Sequence, residues 1–377
     1  MNKRHLHIVS FDIPFPATYG GVIDVFYSIQ ALSEAGVAID LHCFYKGELH
    51  HYSELEKLCQ NVHYYERDMS FHQMLHRWPF AVSSRQSSEL LTNLLKDNSP
   101  ILFEGLVSCA LLAHPALRNR DKFFRESNIE HDYYFALCRA ARNWGNKLYY
   151  LADAIRLRPF ESCVQYAKGI FAVAHQDEAH FQQKYPAIET HYIPSFHPDS
   201  TVAIPEGLGE YILYHGNLDV SENYNAARII MTEIAPRLPQ IAFIFAGRYH
   251  NSLLDNLIRQ TPNVTLIANP DNAKMDELVR NAQIHLLLTE QATGLKLKLL
   301  NVLYKGRHIV VNDKMVTGTD VASLCHIGTT YDELARLCQE YFTLPVSAED
   351  KRQRTQVLNM YYNNDTLCQK LINGIFK

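Results

Sequence analysis

Residues 293–311, TGLKLKLLNVLYKGRHIVV, combine an early glycine, two close cations and an apolar stripe. Leu295, Leu299 and Leu303 recur at four-residue intervals, which predicts a helix opened at Gly294 and ended by Lys305-Gly306 before a β-branched strand. The start of such a helix offers unpaired backbone N–H groups and the positive end of its dipole. Lys296 and Lys298 add charge beside it, so the chemistry suits an anion, and in this architecture a nucleotide diphosphate. Three other strand ends carry glycine: Gly20-Gly21 behind Pro14 and Pro16, Gly216-Asn217 behind Tyr214-His215, and Gly247-Arg248 behind Phe245-Ala246. Each alone reads equally as a tight turn. Together they would let backbone approach a ligand, with Arg248 in reach of a phosphate.

The elements that must position these residues alternate in type. Strands are predicted at His5–Phe11, Val37–Phe44, Pro100–Phe103, Lys122–Glu126, Gly169–Val173 and Thr190–Ile193, with helices between them. A stretch rich in proline and glycine, HPDSTVAIPEGLG from His197, reads as a linker. A second series follows: strands at Tyr211–His215, Ile241–Ala246, Val264–Ile267 and Ile284–Leu288 and one closing at Val310, with helices at Ser221–Leu238, Ala273–Asn281 and Asp332–Tyr341 and from Ala348 onward. The fold class is α/β: two doubly wound, Rossmann-like domains facing across a cleft, with ligands at the carboxyl ends of the strands. The expected boundaries are residues 1–200, 201–360 and a C-terminal segment 361–377 that crosses back to the first domain.

Composition narrows the function. The 377 residues allow two cores, and 47% hydrophobic with 20% charged residues describes a globular chain. A formal net charge of −4 argues against nucleic acid as a partner. The N-terminus has no signal-peptide pattern, no apolar run is long enough to span a bilayer, and the 8 cysteines stand singly, so a cytoplasmic location with reduced thiols is expected. Among the 19 histidines, His5, His7, His50, His51 and His63 have no carboxylate or cysteine partner at ligand spacing, and no metal site is expected.

The series resembles the retaining glycosyltransferases of family four, which have the GT-B fold, over nearly the whole chain. The resemblance rests on the proline-then-GG loop Pro14–Gly21, on Asn128-Ile129-Glu130-His131 with Tyr133-Tyr134, and on Phe171–Ala174 before an acidic helix start. Tyr192-Ile193-Pro194, Gly216–Asn225, Gly247-Arg248 and Gly294–Val311 continue it in order. It implies transfer of a sugar from a nucleotide-sugar donor to a glycan or lipid-linked acceptor, in polysaccharide or glycoconjugate synthesis, with retention and without metal or cofactor. Fixed donors would stabilise the leaving diphosphate. It assigns catalytic roles to Glu130, Asn128 and Lys298, and donor contacts to Gly20, Gly21, Gly216, Asn217, Arg248, Thr293, Gly294, Leu295, Lys296 and Asn301.

The chain departs from the pattern at polar positions. The family's glutamate pair falls on Thr293 and Asn301, its arginine and lysine on Asn217 and about Glu222, its histidine on Ser127 (with His131 nearby as a substitute) and its serine on Ala174. These changes keep open a catalytically degenerate GT-B protein that acts as a binding or scaffolding partner. A sugar-nucleotide epimerase is a third reading, without identifiable acid/base pairs. Residues 139–158, with five cations, Trp144, Tyr149 and Tyr150 against the single acid Asp153, read as a solvated helix or as peripheral contact with the inner face of a membrane. Glu104 reads as a solvated loop carboxylate or as a group facing the cleft.

Overall fold

The computed structural model describes residues 4–126, 128–141, 143–290 and 295–377. Two compact units emerge. One holds the chain up to Pro198 together with Tyr362–Lys377; the other begins at Asp199 and includes Lys296–Tyr361.

The first unit has a seven-stranded sheet: β1 (His5–Ser10), β2 (Ala38–Tyr45), β3 (Asn61–Glu66), β4 (Ile101–Glu104), β5 (Lys122–Glu126), β6 (Gly169–Ala172) and β7 (Glu189–Tyr192), in the order β3-β2-β1-β4-β5-β6-β7. Every pairing is parallel. The connections are therefore crossovers, and helices must cover both faces. Leu6 and Ile8 pack with Val25 and Ile29 of the Gly20–Glu34 helix, while Val9, Phe103 and Phe124 pack with Phe181 on the other face. The first helix stops where expected. Gly36, at φ +82°, donates to Ser33 and Val37 donates to Leu32, a pair of bonds that satisfies the last helical carbonyls and needs a left-handed residue between them.

The second unit has six parallel strands: β8 (Tyr211–His215), β9 (Phe243–Gly247), β10 (Val264–Ala268), β11 (Ala282–Leu287), β12 (His308–Asn312) and β13 (His326–Gly328), in the order β10-β9-β8-β11-β12-β13. Relative to its first strand this repeats the 3-2-1-4-5-6 order of dinucleotide-binding folds.

The structure adds and corrects elements. β3 and the three-residue β13 are edge strands that the sequence pattern did not reveal. The helix expected over Ser221–Leu238 is regular only over Ser221–Ile229; a wider turn, Ile230–Ile234, and a 3₁₀ turn, Ala235–Arg237, follow. Pro236 cannot donate to a regular ladder there. The two C-terminal helices divide between the units. Ala348–Tyr361 stays with the second unit, where Arg354 donates to the carbonyls of Gly306 at 2.7 Å and Arg307 at 2.8 Å. Asn364–Ile375 joins the first, burying Leu367, Leu371 and Ile372 in the core under β1.

Candidate functional site

In both units the polar residues collect at the carboxyl ends of the strands. In the second unit, β8 and β9 end in Gly216 and Gly247. A Cβ on Gly247 would lie 1.9 Å from the carbonyl oxygen of Gly216, so only glycine allows these backbones to cross. The loop that follows is tied down by side chains: Asn223 donates to the carbonyl of Asn217 at 3.0 Å, and Tyr214 Oη donates to the carbonyl of Asn223 at 3.2 Å.

Lys298 completes this network. Its Nζ donates to Asn223 Oδ1 at 2.9 Å and stands 5.2 Å from the centre of the Tyr214 ring. Burial pushes its pKa down to about 8, with the Glu222 carboxylate opposing the shift and Lys296 adding to it. A half-desolvated ammonium at a helix start interacts more strongly with an anion than a hydrated one. His215, pushed down to about 3 by burial and by Lys298, stays neutral beneath it. Glu222 accepts a hydrogen bond from Thr289 Oγ1, and Thr289 is clasped to Asn312 through bonds of 3.1 and 2.7 Å. The acidic replacement at position 222 therefore joins α-helix to strand end while it faces the lysine.

The helix itself begins later than its pattern suggests. It spans Leu297–Lys305 with Lys296 at the N-cap, and Leu299 N–H donates to the Lys296 carbonyl at 2.8 Å. Gly294 and Thr293 lie outside the described residues. Leu295 is half-buried just before the cap. Asn301, assigned to a ribose, donates through Nδ2 to Asp199 at 3.1 Å, and Asp199 also pairs with Lys305 at 3.0 Å. Arg248 is exposed, 3.7 Å from Asp219, at the rim of the network.

At the matching edge of the first unit the chemistry is acidic. Arg125, fully buried on β5, lies 2.8 Å from Asp24 and 3.3 Å from Glu104. The nearer Asp24 is the main counter-ion; it also accepts from Phe196 N–H at 2.7 Å. Burial, together with the charge of Asp24, pushes Glu104 up to about 7 in spite of its arginine partner. Glu104 is thus an internal ion-pair member, neither solvated nor open to a ligand.

Glu126, at the end of β5, and Glu130, in the first turn of the Glu130–Ala140 helix, form a second buried pair. Burial drives Glu126 well above the carboxylate range, reinforced by Glu130. Glu130 is pushed up to about 7 by burial, with Arg85 opposing. Burial thus favours the protonated form of both carboxyl groups, and the charge of either one raises the cost of ionising Glu126 further. Asn128 N–H donates to Glu126 Oε1 at 3.0 Å, which orders the turn between them. Sequence reading identified Glu130 and Asn128 but missed Glu126, hidden as the last residue of an apolar strand. His131, four residues after the position of the family's histidine, is buried. It faces Glu161 at 3.4 Å, beside His180 at 3.0 Å and Lys184 at 2.6 Å, and hydrogen bonds from these three groups hold Glu161 far below its usual range against its burial. Ser127 lies outside the described residues.

Gly21 opens the first helix where the Phe11 ring presses in; a Cβ there would meet Phe11 Cζ at 2.8 Å. Gly20 is exposed with open space around it.

Solved structures with the same pair of sheets decide the architecture. A variant of TarM from S. aureus, in complex with fondaparinux, α-GlcNAc-glycerol and UDP, matches with a TM-score of 0.68 at 8% identity over 100% of both chains. HepE from Anabaena, in complex with UDP and glucose, matches at 0.66 and 11% identity, again over 100% of both. The fold is GT-B. Within GT-B, no family model matches the sequence. A Klebsiella pneumoniae relative described as an uncharacterized 44.6 kDa protein in a cps region is 25% identical over 318 residues, 80% of this chain and 81% of its own length. Gly216, Asn217 and Lys298 lie around the ends of β8 and β9 in the second unit, with Lys296 at the cap before Lys298, and Glu130 and Asn128 lie beyond the end of β5 in the first. Asn301 is tied to Asp199, and Arg248 stands at the rim.

Proposed function

We propose that this chain is a glycosyltransferase that moves a sugar from a nucleotide-sugar donor to a glycan or lipid-linked acceptor in capsule-type polysaccharide synthesis. The observation that carries the reading is Lys298, a desolvated cation at a helix start, fixed by Asn223 beside the glycine ends of β8 and β9. The ligands of the TarM and HepE structures, UDP with a sugar or a glycan acceptor, and the cps setting of the relative support it.

In this reading Lys298 and Lys296 stabilise the charge that grows on the leaving diphosphate. Backbone at Gly216 and Asn217 approaches the phosphates or ribose. Glu130, whose burial favours its protonated form, and Asn128 address the sugar or the acceptor hydroxyl. Transfer with retention, and without a metal in the chemical step, follows from the family resemblance.

The acceptor side carries a membrane-type face, consistent with work at the cytoplasmic leaflet. Among the described residues, no helix is long and apolar enough to cross a membrane. The Trp144–Phe160 helix, however, exposes Trp144 (77%), Leu148 (64%), Leu151 (38%) and Ile155 (58%) at spacings of four, three and four residues, along one face. Its single acid, Asp153, is turned inward and accepts from the N–H groups of Phe80 and Ala81 at 2.8 and 2.9 Å, so Lys147, Arg156 and Arg158 are left as the charges of the outer face.

The test is a panel of nucleotide-sugars incubated with the full chain and membrane extract, with release of nucleoside diphosphate and labelled product both measured. Product from one donor is expected. Absence of turnover and of thermal stabilisation by every nucleoside diphosphate would leave the scaffolding alternative in its place.

A further inference from the structure

The amino-terminal edge of the first sheet, opposite the edge that carries Glu104 and Glu126, holds a cluster of another kind. Its origin is the pleat. His5 and His7 alternate with the core residues Leu6 and Ile8 along β1, so both imidazoles stand on one face. On β2, Asp40 is the register partner of His7, and on β3, Asn61 is the partner of Asp40. The turn before β4 adds Asp97. Sequence spacing showed no carboxylate near His5 or His7; the sheet supplies two.

One ligand atom from each of His5, His7, Asp40 and Asp97 lies within 4.8 Å of all the others. His7 Nε2 is 3.1 Å from Asp97 Oδ2, His5 Nε2 is 3.3 Å from Asp40 Oδ2, and His5 Nδ1 is 3.6 Å from Asp97 Oδ2. Tetrahedral ligands held at zinc distances stand about 3.3 Å apart. The donors are therefore nearly in place.

The outer partners are also those of a metal site. Asp40 Oδ1 accepts from Asn61 Nδ2 at 2.8 Å, and Asp97 Oδ1 accepts from Ser99 N–H at 2.7 Å and Arg120 Nη2 at 3.4 Å. Oδ2 of each carboxylate faces the histidines, and Asp97 Oδ1 also lies 3.1 Å from His7 Nε2. His5 Nδ1 lies 2.7 Å from Ser99 Oγ. His7 Nδ1 lies 3.0 Å from His42 Nε2, His42 Nδ1 lies 2.8 Å from Tyr65 Oη, and Tyr65 Oη accepts from Asn93 Nδ2 at 2.8 Å.

That row satisfies two arrangements of its hydrogens. With His7 Nε2–H donating to Asp97, Tyr65 donates to His42 and His42 to His7. With the Nε2 lone pair on a cation, His7 donates to His42 and His42 to the Tyr65 oxygen. Outer hydrogen bonds of this type fix the tautomer and ring orientation of a ligating histidine.

We propose that His5, His7, Asp40 and Asp97 bind one divalent transition-metal ion, with zinc the best match, as a clamp between β1, β2 and the turn before β4. Two imidazoles and two carboxylates suit such an ion, and the carboxylates balance its charge. Four protein ligands close a tetrahedral sphere and leave no open position, which makes the site structural rather than catalytic. Arg120 is held chiefly by the carbonyls of Leu94, Asp97 and Ser99, and reaches Asp97 Oδ1 only at 3.4 Å, which leaves Oδ2 to the ion. The inference is independent of sugar transfer.

The test uses the full chain without a polyhistidine tag, stripped by chelator, then titrated with Co²⁺ alone and Zn²⁺ alone. Expected are visible d–d bands of tetrahedral Co²⁺ that saturate at one equivalent, their loss when Zn²⁺ displaces it, and a higher melting temperature with Zn²⁺. Asp40→Asn and His5→Gln each alter one ligand with little change of volume and should weaken Co²⁺ affinity by roughly 10–100-fold or more, with an unchanged circular dichroism spectrum. Wild-type protein without these bands and without a Zn²⁺ shift would overturn the proposal, leaving a metal-free histidine–carboxylate network. Bands of equal strength in both variants would overturn it too, by placing the metal elsewhere.

Discussion

At the carboxyl edge of the first sheet stand Glu104, Glu126 and Glu130, all buried; at the corresponding edge of the second stand Gly216, Gly247 and Lys298. The strand orders are alike, so topology alone does not explain the difference. It arises from the last residue or two of each strand and the first turn of the next helix, where a side chain leaves the pleat and meets the sheet's open end. In the first unit, burial raises carboxyl pKa values, and an internal arginine offsets part of the cost. In the second, glycine lets two backbones cross, and burial lowers the pKa of one lysine. In the proposed reaction the first edge would exchange protons with hydroxyl groups and the second would hold anionic oxygens.

The largest effect should come from removing the cation that makes the first edge tolerable. Arg125→Met preserves volume but leaves Asp24 and Glu104 buried without their partner, and about 3–5 kcal/mol of stability should be lost in urea unfolding. Wild-type stability in this variant would mean that the triad does not hold the first unit together.

A smaller effect, specific to ligand, belongs to the second edge. Lys298→Ala should weaken nucleoside diphosphate binding by about 1.5–3 kcal/mol at pH 7, read by calorimetry, with little change in fold. The pH dependence has a definite sign. The free lysine titrates at about 8, so it is charged below that pH and neutral above it. Wild-type affinity should fall as pH rises through 8 and approach that of the variant, whose own profile stays flatter. A bound diphosphate favours the charged form, so binding above pH 8 should take up a proton. A parallel decline in both proteins would detach Lys298 from the anion.

The smallest effect on the folded protein concerns the exposed helix of the first unit. Trp144→Ser with Leu148→Ser should change stability by less than about 0.5 kcal/mol, since both side chains are solvated. Sedimentation with vesicles containing anionic lipid should nevertheless show clear loss of binding. Equal sedimentation of variant and parent would remove the membrane face from the first unit.

How much could be read from the chain varies by element. Gly36 as a helix stop, the strands β1, β5 and β8, and the glycine ends of β8 and β9 were all legible, because each is written in adjacent residues. The start of the Leu297–Lys305 helix was placed about one turn early, since leucine spacing is the same before and after a cap. The Glu126–Glu130 pair was half seen. The His5–His7–Asp40–Asp97 cluster was missed, yet a signal existed. Interior strands of a parallel sheet are normally apolar on both faces, whereas β1 and β2 carry His5, His7, Asp40 and His42 at alternate positions.

By itself, then, the order of residues determined the alternation of strand and helix, the two-sheet α/β class and the glycine strand ends, because those follow from periodicity and backbone freedom over a few residues. Tertiary structure alone decided which charges meet. Asp24 reaches Arg125 across 101 positions, His7 reaches Asp97 across 90, and Asn301 reaches Asp199 across 102. Such pairs depend on strand order and register, which bring distant residues within a few ångströms, and on burial, which then sets their protonation.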